Sequence, residues 1–441
     1  MIGSGPAGRI SGVLPQSRPQ RALILSSFVN RIGSGLFNTA SVLYFTLVVH
    51  LPAVQVGIGL TVAGLVGLVA GIPAGDLADR RGPRGIILVT LAAQTATMAG
   101  FLVVHSWAVF TVVATLDRLA QSANNAARGA LIGRVGGDRP AVFRARLRTF
   151  VNLGVVLGTL GAGFAVEINT RAAYTALIVG NAASYVLCAL LLLRVPAYEA
   201  LPRPGQQRLW EALADRPFVS FAALDGAMGL QYQALSLLLP IWISAHTHAP
   251  RWTVAAVYAV NSGVCVLLQS RIGARVETAE QGGRAFRYSG LFFLAGCPLM
   301  ALSADVPVWV APGLLVLAVT VHSVGEVWQS SAGFALGFGL APDHAQGQYQ
   351  GLLGLGFDAG QAVAPAVLTT VCLGLGQAGW LLLGGFFATV GSAGPPLARW
   401  AERTRPAVRG DAPAQCAASV PPSAEGQLSE AESAADRTGG G

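Results

Sequence analysis

Apolar residues along the chain gather into separate runs, each close to the ~20 residues that a helix needs to cross about 30 Å of hydrocarbon. Short polar segments rich in glycine and arginine divide them. Read against a membrane-helix template, the first runs cover 22–50, 55–78, 84–104, 107–133, 149–168 and 173–194. Residues 195–217 then break the pattern with Pro, Arg and Glu and one short amphipathic piece around Leu209–Ala214, which reads as a surface linker. A second series follows at 218–244, 252–276, 285–304, 307–338, 349–373 and 378–398. The expected organisation is thus an N-terminal segment 1–21, a six-helix half 22–194, the linker 195–217, a second six-helix half 218–398 and a tail 399–441. The tail is rich in Ala, Ser, Glu, Pro and Gly with no apolar face, so it is expected to be disordered and is given no function. Residues 1–21 do not form a cleavable signal pattern, and the first apolar run is expected to stay as an anchor.

Composition agrees with a bilayer as solvent. The chain is 53% hydrophobic and only 11% charged, about half the charged share of a soluble protein, so it cannot cover itself with polar surface. Its mean hydropathy of +0.56 comes from the separate runs. All 29 basic residues are arginine, and the absence of lysine excludes a Walker A phosphate loop. The net charge of +8 does not indicate nucleic acid, because the arginines lie in short segments between apolar runs. Cys188, Cys265, Cys297, Cys372 and Cys416 are scattered without a CxxC or a histidine partner, which fits packing better than disulfide or metal chemistry.

The arginines also orient the chain, since positive residues are retained on the cytoplasmic side. With the N-terminus inside, only Arg171 and Arg251 fall outside and Arg31 and Arg118 within the membrane, every other arginine being cytoplasmic or at its edge. Both termini are then cytoplasmic. A repeat is visible as well: helix 5 carries Gly154, Gly158, Gly161 and Gly163 after a loop with Asp138. Helix 11 carries Gly356, Gly360 and Pro365 after a loop with Asp343.

Between the second and third runs lies Gly75-Asp76-Leu77-Ala78-Asp79-Arg80-Arg81-Gly82-Pro83-Arg84. This link resembles the signature of the major facilitator superfamily, Gly-x-Leu-Ala-Asp-Arg-x-Gly followed by basic residues, with Pro83 standing where a basic residue is usual. Helix 4 has Arg118 and Gln121 of the family's Arg-x-x-Gln-Gly pattern, with Ser122 in place of glycine. Helix 5 is similar to the Gly-x-x-x-Gly-Pro-x-x-Gly-Gly signature of the family's antiporters, with Thr159 for proline and Ala162 for a glycine. The resemblance implies an all-α membrane protein of twelve transmembrane helices in two six-helix halves around a central cavity. It also implies that the link around Asp79 latches the halves on the cytoplasmic side, making Gly75, Asp79, Arg80, Gly82 and Arg84 gating residues, and that Arg118 couples proton movement to conformation. The helix 5 glycines also fit plain close packing of helices.

Well inside apolar runs lie Arg31, Asp117, Arg118, Asp225, Glu326 and Asp358, the candidates for proton coupling or substrate binding. By resemblance their helices line the cavity, with arginines from the first half and carboxylates from the second, a balance that suits a cation or an exchanged proton. Glu326 ranks first, then Asp358 and Asp225. Each also admits a plain interhelical pairing, as does Arg118 with Asp117. His322 lies one turn before Glu326 and reads as packing. Trp328, Gln329, Tyr232, Gln231, Gln233, Asn30 and Asn38 are further cavity candidates or helix glue.

The expectation is a bacterial inner-membrane secondary transporter that exports a small molecule by alternating access, by proton antiport. It needs no cofactor or metal, binds no nucleic acid and works as a monomer in the lipid bilayer. Uptake by proton symport is the alternative, as is a transport-inactive sensor on the same fold. The chain has no HExxH, GxSxG or Cys and His constellation that would point to an enzyme.

Overall fold

The computed structural model describes residues 17–199, 211–250 and 252–404. Arg251, Cys416, Leu209, and with them residues 1–16, 200–210 and 405–441, lie outside them. Twelve long helical rods run through the described residues. The first half consists of α1 (Arg18–Leu43, continuing as a π turn Tyr44–Val48), α2 (Ala53–Gly67, Leu68–Ala70 and Gly71–Arg81 run together), α3 (Pro83–Leu102), α4 (Trp107–Val135), α5 (Pro140–Ile168) and α6 (Arg171–Leu192). A short helix, Glu211–Ala214, precedes the second half. There follow α7 (Arg216–Met228 and Leu230–Gln233, a π turn Ala234–Leu238, then Leu239–His246), α8 (Trp252–Gly273), α9 (Ala279–Leu302) and α10 (Ala311–Gly339). The series ends with α11 (Gln346–Leu368 with a π turn Thr369–Leu373), α12 (Gln377–Ser392) and a terminal helix α13 (Gly394–Thr404).

Local sequence sets the helix ends. Ser106, Thr170 and Asp215 each cap a helix by accepting a backbone N–H in its first turn, and Thr278 with Gln281 forms a full capping box for α9. Proline occupies the first turn of α3, α5 and α10, where its missing N–H costs nothing. Pro140 explains why α5 starts well before residue 149: hydropathy sees only the apolar part, whereas the helix includes the polar turns with Arg144 and Arg148. Residues 399–404, assigned to the tail on composition, are helical in α13. They continue an amphipathic pattern that buries Leu397, Ala398 and Ala401. Pro240 cannot donate to the carbonyl of Ser236, and the π turn lies there; that carbonyl instead accepts the Tyr258 hydroxyl at 2.9 Å.

Nine of the described helices are long and apolar enough to cross a membrane. α1, α4 and α7 are not among them: α1 carries Asn30 and Arg31, α4 carries Asp117, Arg118 and Arg128, and α7 is broken at Gly229 into two shorter pieces. Helices of this kind are tolerated in lipid when their polar groups face other helices or a cavity.

Helix pairing repeats with a shift of six. α1 packs on α5 as α7 packs on α11; α3 packs on α4 and α6 as α9 packs on α10 and α12; α2 packs on α4 as α8 packs on α10. Pairs joining the halves obey the same rule, α2 with α11 matching α8 with α5, and α4 with α11 matching α10 with α5. Small residues make these seams. Gly35 of α1 lies against Gly158 of α5, while Gly226 of α7 lies against Gly356 and Gly360 of α11.

Between α2 and α3 the chain turns at Gly82, whose φ of 87° is one that side chains resist, and a Cβ there would come 2.6 Å from the Tyr198 carbonyl. Gly82→Ala is therefore expected to destabilise the protein by about 1–3 kcal/mol, read as a lower unfolding temperature in detergent. An unchanged melting curve would show that this turn relaxes freely.

Candidate functional site

At the end of the bundle that holds the α2–α3 turn, the two halves meet backbone to backbone. A Cβ on Gly75 would collide with the Gly347 carbonyl and one on Gly351 with the Gly71 carbonyl, so α2 and α11 touch along a glycine seam. Asp79, almost fully buried, sits over the start of α11. The N–H of Gly347 donates to its Oδ1 at 2.9 Å and the N–H of Gln348 to its Oδ2 at 3.1 Å. A carboxylate there satisfies N–H groups with no partner inside the helix and meets the positive end of the helix dipole. Asp76 accepts the Gln348 side-chain amide at 2.7 Å and pairs with Arg80. Arg84 turns to its own half, donating to the Leu193 carbonyl at 3.0 Å just past α6. On the pseudo-symmetric side, Gly273 of α8 packs on Ala145 of α5, and Arg139 meets Glu277 at 3.4 Å.

Deeper in the bundle a polar network ties α5 to α7, α8 and α10. Arg148 of α5 donates to Glu326 Oε1 of α10 at 3.1 Å and to the Tyr232 hydroxyl of α7 at 2.7 Å, and its guanidinium lies over the Tyr232 ring at 5.5 Å. The other Glu326 oxygen accepts Asn261 of α8 at 2.9 Å, and Asn261 also donates to Ser323. The Tyr232 hydroxyl donates to Gln329 Oε1 at 3.2 Å, and the Gln329 amide N–H donates to Asp225 Oδ1 at 2.8 Å. Glu326 is only 6% exposed and Arg148 belongs to the opposite half, so this buried ion pair is one that rocking of the halves must break or carry along. Gln231, by contrast, takes His322, which is fully buried against Phe293 outside the network.

The remaining sequence candidates spread along the first half and α11. Asp117 accepts Thr97 at 2.9 Å, whereas the neighbouring Arg118 points elsewhere and donates to Gln121. Asp358 of α11 is within electrostatic range of Arg118, and Asp225 of Arg148. Arg31 opens onto a cavity of about 260 Å³ lined by Ser34, Gly35 and Asn38 of α1 and Val155 and Thr159 of α5. Among the glycines of α5, Gly154 and Gly158 press on the backbone of α1 and Gly161 meets Leu36, but Gly163 faces open space. Trp328 packs edge-on to Tyr288, away from this network.

Among known families, the model described as Major Facilitator Superfamily matches residues 23–365, most of the chain. The chain belongs to that superfamily. This facilitator is 26% identical over 344 residues to the multidrug resistance protein MdtH of Klebsiella pneumoniae (strain 342), covering 73% of this chain and 82% of that protein. In fold it resembles a bacterial homologue of the iron transporter ferroportin in its outward-facing state (TM-score 0.70, 12% identity, 88% of this chain and 100% of that one). It also resembles the Escherichia coli fucose:proton symporter FucP (TM-score 0.63, 14% identity, 87% of this chain and 98% of that one). It is accordingly an all-α, multi-pass membrane transport protein and not an enzyme.

Three residues of this facilitator's network, Arg148, Asn261 and Ser323, are not legible as site residues in the sequence. Arg148 follows Arg144 and Arg146 in a stretch that reads as a positive loop; the overlooked signal was Pro140 as a helix start. Arg128, which the arginine pattern puts at a membrane edge, is buried between helices, bonding Asn124, Ser27 and the Cys188 sulfur at 2.8, 3.2 and 2.8 Å.

Proposed function

We propose that the protein is a secondary active exporter of the bacterial inner membrane, with twelve spans, both termini in the cytoplasm, and a proton moving inward as a small molecule moves out. The observation that carries this reading is the Arg148–Glu326 pair, which bridges the halves in the bundle interior at a carboxylate able to exchange a proton for a partner. The multidrug resistance name of the MdtH relatives favours export over uptake. Alternating access then runs as follows. The α2–α11 seam with Asp79 closes the cytoplasmic end while the cavity beside Arg31 stays accessible from the opposite side. Protonation of Glu326 weakens its hold on Arg148, the seam opens, and substrate enters from the cytoplasm. A proton drives the cycle only because it binds the two states with different affinity.

The test uses everted vesicles energised by respiration, with a pH-sensitive dye and a panel of cytotoxic compounds. At least one compound is expected to collapse the proton gradient in vesicles bearing the protein. The Glu326→Gln, Asp358→Asn pair is expected to abolish that response. Accumulation in right-side-out vesicles instead would establish uptake, and activity unchanged in the double variant would remove the carboxylates from the mechanism.

A further inference from the structure

Four arginines of the first half share like-charge neighbours: Arg31 is within electrostatic range of Arg128 and Arg148, and Arg144 of all three. Guanidinium groups do not discharge by losing a proton, so this repulsion must be met by an opposite charge or by solvent. One of the four has a carboxylate: Arg148 holds Glu326. Arg128 is satisfied by neutral groups, Asn124, Ser27 and the Cys188 sulfur. Arg144 rests over the Phe334 ring at 5.6 Å. Among the described residues Arg31 has no hydrogen-bond or ion-pair partner, and it is the one that faces a cavity.

That cavity has the parts of an anion site. Arg31 and Asn38 are seven residues apart on α1, so they share a face and present a guanidinium and an amide to the same space. Ser34 between them spends its hydroxyl on the Asn30 carbonyl at 3.0 Å, leaving the two stronger donors to set the polarity. Val155 supplies an apolar wall, and a volume of about 260 Å³ suits a small organic molecule. No carboxylate lines it; among the described carboxylates inside the spans, Glu326 is held by Arg148 and Asn261, Asp225 bonds Gln329, Asp117 bonds Thr97, and Asp358 lies within electrostatic range of Arg118.

We infer that the α1–α5 wall is an anion-binding subsite, with Arg31 as its anchor and Asn38 as a second donor, and that the transported substrates include small organic anions carrying a carboxylate or sulfonate on an apolar body. This departs from the cation suggested by carboxylates in the second half. It rests on the central cavity being the transport site, but binding itself can be tested without transport. An anion here offsets the charge of Arg31, which has no ion-pair partner among the described residues, whereas a cation would add to it.

The experiment is equilibrium binding to the purified full chain in phosphatidylcholine nanodiscs, using benzoate, benzenesulfonate, the neutral isostere benzamide and the cation benzylamine. Benzoate or benzenesulfonate is expected to bind roughly tenfold or more tightly than benzamide, the scale of a charge-assisted contact, and benzylamine more weakly still. Arg31→Gln is expected to erase the preference for the anion, Arg31→Lys to restore part of it, and Asn38→Ala to weaken both anion and amide. The lysine variant separates loss of charge from loss of fold. Equal binding of benzoate and benzamide, no anion binding at millimolar concentration, or a preference that survives Arg31→Gln would each overturn the inference. A parallel series with phosphatidylglycerol identifies the source of the anion. Competition by that lipid, relieved in Arg31→Gln, would make this a headgroup site and overturn the substrate assignment, while its absence supports a soluble ligand. Failure of proton-coupled export in vesicles would leave these binding results standing, so the two proposals fail separately.

Discussion

Glu326→Leu is expected to destabilise the protein by about 3–5 kcal/mol, because it leaves the Arg148 guanidinium buried without its carboxylate. Tyr232 remains as a neutral acceptor at 2.7 Å, which offsets only part of that cost. Asn261 also loses the oxygen it donates to at 2.9 Å. The effect is asymmetric in a way that can be measured. Removing both charges, as Arg148→Leu with Glu326→Leu, is expected to regain most of the stability, since replacing a buried pair by apolar groups of similar size is often neutral. Transport should be lost in the single and the double variant alike. Thermal unfolding in nanodiscs reads the first quantity and vesicle flux the second. If single and double variants melt together, Arg148 is not relying on Glu326, and the pair loses its place in the mechanism.

Gly75→Leu is expected to hold the protein open at the Asp79 end. Even the first carbon of the new side chain would run into the Gly347 carbonyl and come within 2.8 Å of the Gln348 amide nitrogen, and both obstacles are backbone that no rotamer change can move aside. Overpacking of this kind costs about 1–3 kcal/mol, which corresponds to a shift of roughly 5–150-fold between two states. Ser122 of α4 lies beside the seam, next to Gly71, and is a suitable reporter. As Ser122→Cys it should react slowly with a membrane-impermeant maleimide in everted vesicles and much faster when Gly75→Leu is added. Equal labelling rates would mean that α2 and α11 do not form the closing contact.

The fold was legible because its signals are long and redundant. Apolar runs, arginine placement and the Gly75–Arg84 link each point to the same two sets of helices, and a mistake of a few residues in any one leaves the others standing. Residues such as Glu326 and Asp225 stood out for an equally simple reason: a carboxylate in an apolar run has few explanations. What the chain hid is pairing across distance. Glu326 joins Arg148, 178 positions away, and nothing local marks which arginine it will meet. Arg144 and Arg148 were further disguised by lying at the polar start of a helix, where hydropathy cannot separate a membrane edge from the interior. Adjacency does not decide pairing either. Asp117 and Arg118 admit a pairing in the sequence, yet neighbours on a helix point about 100° apart and their side-chain hydrogen bonds go to different partners.

The π turn of α7 begins two residues after Tyr232, which links Arg148 to Gln329. A π turn accommodates one residue more than an α-helix of the same rise, so passing that surplus along the helix twists one segment against the other by about 100°. Pro240 pins that surplus in place, because an α-helical register at this point would put the proline ring against the Ser236 carbonyl. The segment beyond is anchored through Trp242, whose indole N–H is bound to the Met300 carbonyl at 3.1 Å. The proline thereby fixes the rotational setting in which α7 presents Tyr232 to the α5 arginine.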